Sequence, residues 1–212
     1  MSTRLRIFES SPVGFGFRPT DEELVDHYLR SKILGVAFHE DIIPQVDIYK
    51  MDLWLIPDYC FLLSDIQTYG SEWFFFSPLY KRNTNYNQLQ RKTNVGYWKS
   101  TGPDRDIKRG ATEEVIGTKK TLVFHMGSGR GHEDVNTGWV IHEYRARMAA
   151  LPANETYVLC RLKTKKGSDF PLQTNLNDVL PKLLSNQETW PMNMDVDDSS
   201  TGECSARQTS LV

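Results

Sequence analysis

The chain has little cysteine, and its few cysteines form no recognisable framework. Cys60, Cys160 and Cys204 make neither a CxxC pair nor an even set of closely spaced residues. This pattern excludes the usual zinc-ribbon and disulfide-scaffold classes and is typical of a reducing compartment. The five histidines also lack the spacing of metal ligands. We therefore expect no metal and no cofactor.

Long hydrophobic runs are also missing. The first ten residues, MSTRLRIFES, hold no apolar stretch long enough for a signal peptide, and no segment approaches the roughly 20 apolar residues of a membrane span. With 212 residues, 39% of them hydrophobic, the chain can bury the core of one domain and carry an appendage. We expect a soluble intracellular protein with no membrane contact.

The sequence lacks the short motifs that mark common enzyme sites. It has no GxSxG, P-loop or GxGxxG motif, and GSGRG at 127–131 is only a turn-like cluster of glycines. A nucleophile would need a positioned base, such as Cys60 or Cys160 with a histidine, or a serine with His142 and an acid. His142 lies in the strand-like segment HEYR, where alternation sends neighbouring side chains to opposite faces. We therefore expect no catalytic activity.

What the chain does have is a strong local imbalance of charge. Residues 81–130 hold eleven Lys and Arg against four Asp and Glu, whereas residues 1–80 hold six basic and twelve acidic residues. A basic segment around Tyr97, Trp98 and several glycines is typical of a protein that binds a polyanion, and nucleic acid is the first candidate. A solvated charged face is the ordinary alternative.

The sequence predicts one helix near the N-terminus. Thr20 is a good N-cap, and Glu23, three residues later, completes a capping box. Apolar residues then recur at helical spacing as far as Ile33, and Gly35 is a suitable stop. A second, short helix is predicted over residues 57–63 or just before them.

From residue 72 onward, short segments rich in β-branched and aromatic residues alternate with Gly, Pro, Asn and Asp. Because no helical pattern separates them, they favour an antiparallel sheet and an α+β fold that is mainly β. Tyr97 and Trp139 are expected in its core. The predicted strands are residues 73–76, 95–99, 113–117, 119–125, 138–145 and 156–162.

The composition changes again after about residue 166. Residues 167–212 hold seven acidic and two basic residues among scattered Ser, Thr, Asn and Pro. This composition predicts a short acidic tail that is mostly disordered. Within it, ETWPMNMDVDD mixes bulky apolar and acidic residues as activation segments often do, with an uninformative linker as the equal alternative.

A series of motifs in a fixed order resembles the plant NAC transcription factors over roughly residues 11–163. GFGFRPTDEELVDHYLRSKILG comes first, followed by VDIYKMDLW, EWFFFSP, GYWKSTGPDRDI, KKTLVFHMG, GWVIHEYRA and YVLCRL. The resemblance implies a strongly twisted antiparallel sheet flanked by a few helices. It implies a NAC-type DNA-binding and dimerisation domain over residues 8–166, followed by the tail at 167–212.

The resemblance also implies how double-stranded DNA is contacted, at sites with a CGT/ACG-type core. In the family the edge of the WKxTG strand enters the major groove, and the matching segment here is WKSTGPDR. Gly96 and Gly102 suit this role because glycine allows close approach to a duplex. Ser100 replaces the usual alanine, and Pro103 is a further departure. The implied DNA-binding residues are Arg91, Lys99, Ser100, Thr101, Asp104, Arg105, Lys119 and Lys120.

Two features near this segment are interpreted separately. Trp98 is either a packing residue or a platform for base stacking, and we favour packing. The loop before Trp139, RGHEDVNTG, carries Glu133 and Asp134, and it has Asn136 where the family commonly has Lys or Arg. Each lost phosphate contact flattens the salt dependence of binding by about one slope unit. We therefore expect specific binding that is weaker than is typical of the family.

The implied dimer face departs from the family pattern. NAC domains usually pair through LPPGFRF, whose arginine bridges a glutamate on the partner's first helix, but this chain has SPVGFGF at 11–17 with Gly16 in place of that arginine. Glu23 retains the glutamate, and Arg18 is the nearest substitute. We expect a weakened homodimer or a heterodimer with another NAC protein. The implied dimerisation residues are Pro12, Gly14, Phe15, Phe17, Arg18 and Glu23.

The function implied by the resemblance is regulation of RNA polymerase II transcription in a plant nucleus. The altered dimer face and short tail leave a second option, a repressor or competitive partner without an activation function of its own. Basic residues around KTKK at 163–166 are weak candidates for nuclear import.

Overall fold

The computed structural model describes residues 16–36, 42–64, 71–79, 81–83, 86–89, 91–110, 112–127, 134–148 and 157–164. Pro12, Gly14 and Phe15, which the sequence places on a dimer face, lie outside these ranges. The predicted tail at 167–212 also lies outside them.

The first helix is confirmed at both predicted ends. The Glu23 backbone N–H donates to the Thr20 hydroxyl at 3.2 Å, and the Thr20 backbone N–H donates to the Glu23 carboxylate at 2.7 Å, which completes the capping box. Gly35 ends the helix with φ +62° and ψ +22°, a left-handed conformation that favours glycine. The helix consists of α1 (Asp21–Glu23), a π-helical turn (Leu24–Leu29) and α2 (Arg30–Leu34).

The second predicted helix is also confirmed. A 3₁₀ turn (Leu53–Leu55) leads directly into α3 (Ile56–Leu63). Pro57 lies in the first turn of α3, where its missing N–H would have had no helical partner. Half of the residues of α3 are buried, among them Ile56, Tyr59 and Cys60, so one face of the helix packs against the core.

The strands form an antiparallel sheet, so the predicted α+β class with mainly β structure is confirmed. In the main sheet the order is β1-β8-β7-β6-β4, and β5 also pairs with β6; β2 and β3 form a separate two-stranded ribbon. The strands are β1 (Glu72–Pro78), β2 (Lys81–Asn83), β3 (Tyr86–Leu89), β4 (Gly96–Ser100), β5 (Arg105–Lys108), β6 (Val115–Met126), β7 (Val135–Ala146) and β8 (Tyr157–Thr164).

The sequence was wrong about the strands between residues 105 and 126. Residues 113–117 and 119–125 were predicted as two strands, but β6 is continuous, because Thr118 pairs with Asp106 on one side and with Arg145 on the other. Glu113 lies in the turn before β6, with φ +56°. Strand β5 was not predicted, because the preceding Gly, Pro and Asp indicate a turn.

Two hydrophobic clusters occupy the two faces of the sheet. Phe75, Phe124 and Ile141 belong to the cluster that packs against α3, whereas Phe74 and Tyr144 belong to the cluster that packs against the first helix. The neighbours Phe74 and Phe75 fall in different clusters because successive side chains of a strand point to opposite faces. The first helix and α3 therefore cover opposite faces of the sheet.

Of the two aromatic residues predicted in the core, Trp139 is confirmed there, whereas the prediction for Tyr97 is wrong. Trp139 is 2% exposed. Tyr97 is only partly buried, stacks on His125 with ring centroids 5.5 Å apart, and donates its hydroxyl to Asp134 at 3.0 Å. Its polar tip therefore needs a partner at the surface of the sheet.

Candidate nucleic-acid interface

A tight turn brings Arg91 beside strand β4. The Thr93 backbone N–H donates to the Gly96 carbonyl at 2.8 Å, and the Gly96 N–H donates back to the Thr93 hydroxyl at 3.1 Å. The Trp98 N–H then donates to the Arg91 carbonyl at 2.8 Å. The turn thus places Arg91 directly across from Trp98, close to the segment with which the sequence grouped it.

Gly96 has a different role from the one expected. A Cβ on Gly96 would lie 2.2 Å from the His125 carbonyl oxygen and 2.8 Å from the Phe124 ring, so no side chain fits. Gly96 is buried and serves the packing of β4 on β6, not the approach of a duplex. Gly102, in contrast, is exposed with φ +80° and open space around it.

Trp98 is a packing residue, as the sequence favoured. Its side chain is 2% exposed and its ring lies 5.0 Å from the Phe124 ring in an edge-on arrangement. A buried ring offers no face on which a base can stack, so the alternative interpretation is wrong for this conformation.

Beyond Trp98, the chain forms an exposed protrusion anchored at both ends. Every residue from 99 to 106 is exposed, whereas the flanking Trp98 and Ile107 are 2% and 6% exposed. We call residues 99–106 the β4–β5 protrusion. The Thr101 backbone N–H donates to the Thr121 carbonyl at 2.9 Å and fixes the start of its turn.

The predicted contact residues of the protrusion differ in whether they already form an ion pair. Lys99 and Arg105 have no ion pair among the residues that the structure describes, so their charges face solvent. Asp104 accepts from Lys120 at 2.6 Å. Ser100 and Thr101 are exposed polar side chains between the two basic residues. The protrusion therefore presents two available cations with hydroxyl groups between them.

Lys119 and Lys120 leave opposite faces of β6, although the sequence grouped them. The Lys120 ammonium reaches forward to Asp104 in the protrusion. The Lys119 ammonium instead binds Asp21 at the start of the first helix. Side-chain alternation along a strand imposes this separation. Their roles in DNA contact stay predictions, and Lys119 already neutralises an acid.

Asp21 joins the first helix to the sheet. Besides Lys119, it accepts from the Tyr144 hydroxyl at 2.7 Å. Burial raises the pKa of Asp21, but the hydrogen bonds from Lys119 and Tyr144 and the charges of Lys119 and Arg161 more than offset burial, and the pKa falls below its ordinary value of 3.8. Burial, together with the hydrogen bond that the Tyr144 hydroxyl donates to Asp21, raises the pKa of Tyr144.

We expect Asp21→Asn to lower the free energy of unfolding by about 1–2 kcal/mol at pH 7, because a charged hydrogen-bond partner is lost at a partly exposed site. A carboxylate with a lowered folded-state pKa stabilises above the unfolded-state pKa, and this stabilisation is lost as pH falls through the folded-state value. Urea unfolding at pH 7 and at pH 3 should therefore show that the difference in free energy of unfolding between wild type and variant is smaller at pH 3.

The matched control is Glu113→Gln, which removes an exposed carboxylate 2.7 Å from Lys108. We expect little change in stability from this control, because solvent screens an exposed pair. A gap for Asp21→Asn that stays constant between the two pH values would contradict the role given to Asp21.

Arg91 sits above a buried carboxylate that the sequence did not identify. Its Nη2 atom lies 3.7 Å from Oε1 of Glu143, whose side chain is 1% exposed. Arg145 donates to the same oxygen from Nε at 2.9 Å and from Nη2 at 2.6 Å. The signal in the sequence was alternation in HEYR, which puts Glu143 and Arg145 on one face.

The acidic segment before Trp139 was predicted as a loop, but from Val135 onward it belongs to β7, and it makes local structural contacts. Asp134 accepts from the Tyr97 hydroxyl at 3.0 Å, and the Asn136 side chain accepts from the Gly138 backbone N–H at 3.0 Å. Glu133 lies outside the described residues. The weaker DNA binding expected from this loop stays a prediction.

The predicted dimer residues within the described ranges line a shallow cavity of about 310 Å³ beside the first helix. The Phe17 ring packs edge-on against Tyr28 and Phe74, with centroids 5.5 and 5.1 Å away. Arg18 and Glu23 are exposed. The backbone and side-chain hydrogen bonds from Thr20 lower the pKa of Glu23. Glu23 is thus held as a carboxylate within its own capping box.

The described ranges contain neither a membrane-spanning helix nor a cluster of metal ligands. No helix there has the length and hydropathy needed to cross a membrane. Within the same ranges no three His, Cys, Asp or Glu side chains come together as metal ligands would. Cys60 and Cys160 are both buried free thiols, and burial raises the pKa of each.

Comparison with known proteins gives consistent matches. A family model described as "No apical meristem (NAM) protein" matches residues 12–146. NAC domain-containing protein 74 of Oryza sativa subsp. japonica is 44% identical over 164 residues, which cover 76% of this chain and 32% of the relative. NAC domain containing protein 50 of Arabidopsis thaliana is 46% identical over 163 residues, or 74% of this chain and 35% of the relative. The chain therefore spans about a third of the length of these two relatives.

Proposed function

Because this chain belongs to the NAC-domain family, we propose that it is a plant transcription factor that binds specific double-stranded DNA and regulates RNA polymerase II transcription in the nucleus. The observation that carries the proposal is the β4–β5 protrusion, in which eight consecutive exposed residues are anchored by buried Trp98 and Ile107. A thin, rigidly anchored segment with polar tips is what the major groove admits. We propose no catalytic role.

The side chains of the protrusion suit both parts of DNA recognition. Lys99 and Arg105 supply the positive charge that phosphates and guanine edges require, and Ser100 and Thr101 can donate to or accept from base edges. Asp104 can accept from a cytosine amino group, and Lys120 offsets its charge against the phosphates. Arg91 is proposed to contact bases beside the protrusion, at sites with a CGT/ACG-type core.

The test of this proposal is fluorescence anisotropy of the full chain on a duplex with a CGT/ACG-type core and on a scrambled duplex, across a salt series. We expect tighter binding to the first duplex and affinity for both that falls with salt, because phosphate contacts release counterions. Equal affinity for the two duplexes would exclude sequence-specific recognition by this chain alone.

We further propose that the homodimer is weak because Gly16 replaces the family's arginine opposite Glu23. Gly16→Arg is expected to lower the dimer dissociation constant about tenfold, within the range of a single interfacial charge pair. Analytical ultracentrifugation over a concentration series measures this constant.

The control for the dimer experiment is Gly16→Arg combined with Glu23→Gln. Glutamine preserves the capping box with Thr20 but removes the charge, so the gain from the new arginine should disappear. A dimer that is unaffected by Gly16→Arg, or a gain that survives Glu23→Gln, would overturn the proposed pairing.

The same substitution of Gly16 favours a second candidate function, a competitive or heterodimerising partner without its own activation. The two functions differ in what residues 167–212 do. Fused to a neutral DNA-binding domain in a reporter assay, this tail should activate transcription if the chain is an activator. An inactive tail would favour the competitor.

A further inference from the structure

Glu143 is a buried carboxylate shared by two arginines beneath the proposed DNA-contacting surface. It lies on β7, where it pairs with Lys120 of β6 and Cys160 of β8 in the sheet register. Its side chain is 1% exposed, whereas those of Arg91 and Arg145 are 21% and 29% exposed. The carboxylate is therefore enclosed, whereas both arginine side chains are partly exposed, although Nη1 of Arg91 is itself buried.

The two arginines bind this carboxylate unequally. Arg145 donates two hydrogen bonds to Oε1, at 2.9 and 2.6 Å, whereas Arg91 Nη2 stays 3.7 Å from the same atom, beyond hydrogen-bond distance. Among the described residues, Nη1 of Arg91 and Oε2 of Glu143 are buried without a hydrogen-bond partner. Arg91 is thus attracted to Glu143 by charge and forms no hydrogen bond to it.

This cluster of charged groups around a buried carboxylate is expected to contribute little to the stability of the fold. Burying charged groups is costly, and a buried ion pair often contributes less than a hydrophobic replacement would. Unpaired buried polar atoms add to that cost. The arrangement does suit a guanidinium whose orientation must be fixed, since a bidentate contact with a guanine edge depends on orientation.

We propose that Glu143 is a positioning residue that orients the Arg91 guanidinium for base recognition, and that Arg145 weakens the attraction of Glu143 for Arg91 by neutralising part of its charge. Arg145 donates two hydrogen bonds to Oε1, and Glu143 attracts Arg91 without forming a hydrogen bond to it. This inference rests on the proposed DNA-binding function.

The test compares binding of four full-length proteins to the cored and scrambled duplexes: wild type, Glu143→Gln, Arg91→Ala and the double variant. We expect Glu143→Gln to reduce the preference for the cored duplex about five- to tenfold, as a misoriented bidentate contact would. In the Arg91→Ala background, Glu143→Gln should change the preference no further, because Glu143 acts through Arg91. A merely structural Glu143 would instead give additive losses on both duplexes.

Glu72→Gln is the matched control, because Glu72 also binds an arginine, Arg161, with two hydrogen bonds at 3.0 and 2.6 Å, on strands β1 and β8. It should leave the preference unchanged. Should Glu143→Gln fail to unfold cooperatively on heating, Arg145→Lys decides the question. It keeps the charge, so the salt dependence should be retained, but lysine cannot donate the same pair of hydrogen bonds to Oε1, so Glu143 should attract Arg91 more strongly and the preference should fall at least threefold.

The outcomes separate this inference from the function on which it rests. A wild-type protein without preference overturns the proposed recognition and this inference with it. A wild type that discriminates, together with additive losses in the double variant, overturns the positioning role alone. An unchanged preference in Arg145→Lys overturns the role given to Arg145.

Discussion

Replacing Trp98 with alanine is expected to lower the free energy of unfolding by about 3–5 kcal/mol, the usual cost of truncating a large buried aromatic residue. The side chain is 2% exposed and packs against Phe124, in the cluster that α3 covers. Because native domains are stable by only about 5–15 kcal/mol, the loss removes a large part of the total. Urea or thermal unfolding of wild type and variant measures it.

The control for this prediction is Trp98→Phe, which separates packing from DNA contact. Phenylalanine keeps an aromatic ring against Phe124, and the indole Nε1 that it removes has no hydrogen-bond partner among the described residues. We therefore expect a smaller loss of stability and nearly unchanged affinity for the cored duplex. A large loss of affinity in a stable Trp98→Phe would show that this ring contacts DNA and contradict our assignment.

Local chemistry made much of the fold predictable from the sequence. The helix boundaries follow from a capping box at Thr20 and a left-handed glycine at position 35, which are short-range effects. Strand β5 and the continuity of β6 were missed because they depend on long-range pairing. The local sequence around Thr118 indicated a break between two strands, yet in the sheet Thr118 pairs with β5 on one side and with β7 on the other.

The candidate site was predictable only in outline. The sequence indicates a basic segment with exposed polar residues, and the β4–β5 protrusion matches that outline. The sequence does not show that Lys119 binds Asp21 or that Lys120 binds Asp104. Asp21 lies at the start of the first helix and Asp104 lies in the β4–β5 protrusion, so neither acid is a sequence neighbour of its lysine. Nor does the sequence show that the His125 carbonyl of β6 leaves no room for a side chain at Gly96. Each of these depends on which strand lies beside which.

Arg91→Ala is expected to reduce affinity for the cored duplex by about 1–3 kcal/mol, or roughly five- to 150-fold, if its guanidinium contacts a base. Affinity for the scrambled duplex should fall much less, because a base contact contributes to specificity more than to general attraction. The full chain, measured by anisotropy at several salt concentrations, gives both quantities and the salt slope.

Lys99→Ala and Arg30→Ala complete this experiment. Lys99 is exposed and has no ion pair among the described residues, so its loss should reduce the salt slope by about one unit if it binds phosphate. Arg30 is an arginine on the first helix whose side chain is 47% exposed, outside the predicted DNA-contacting set, and its loss should change neither preference nor slope.

The pattern across the three variants carries more weight than any single loss. Removing any cation weakens a polyanion complex somewhat, so equal losses for Arg91→Ala, Lys99→Ala and Arg30→Ala would indicate only general charge attraction. A change in preference confined to Arg91→Ala, with a change in slope for Lys99→Ala and none for Arg30→Ala, requires contacts at defined positions. That result would also support the positioning role of the buried Glu143, because the orientation of the Arg91 guanidinium affects binding only if Arg91 makes a base contact of defined geometry.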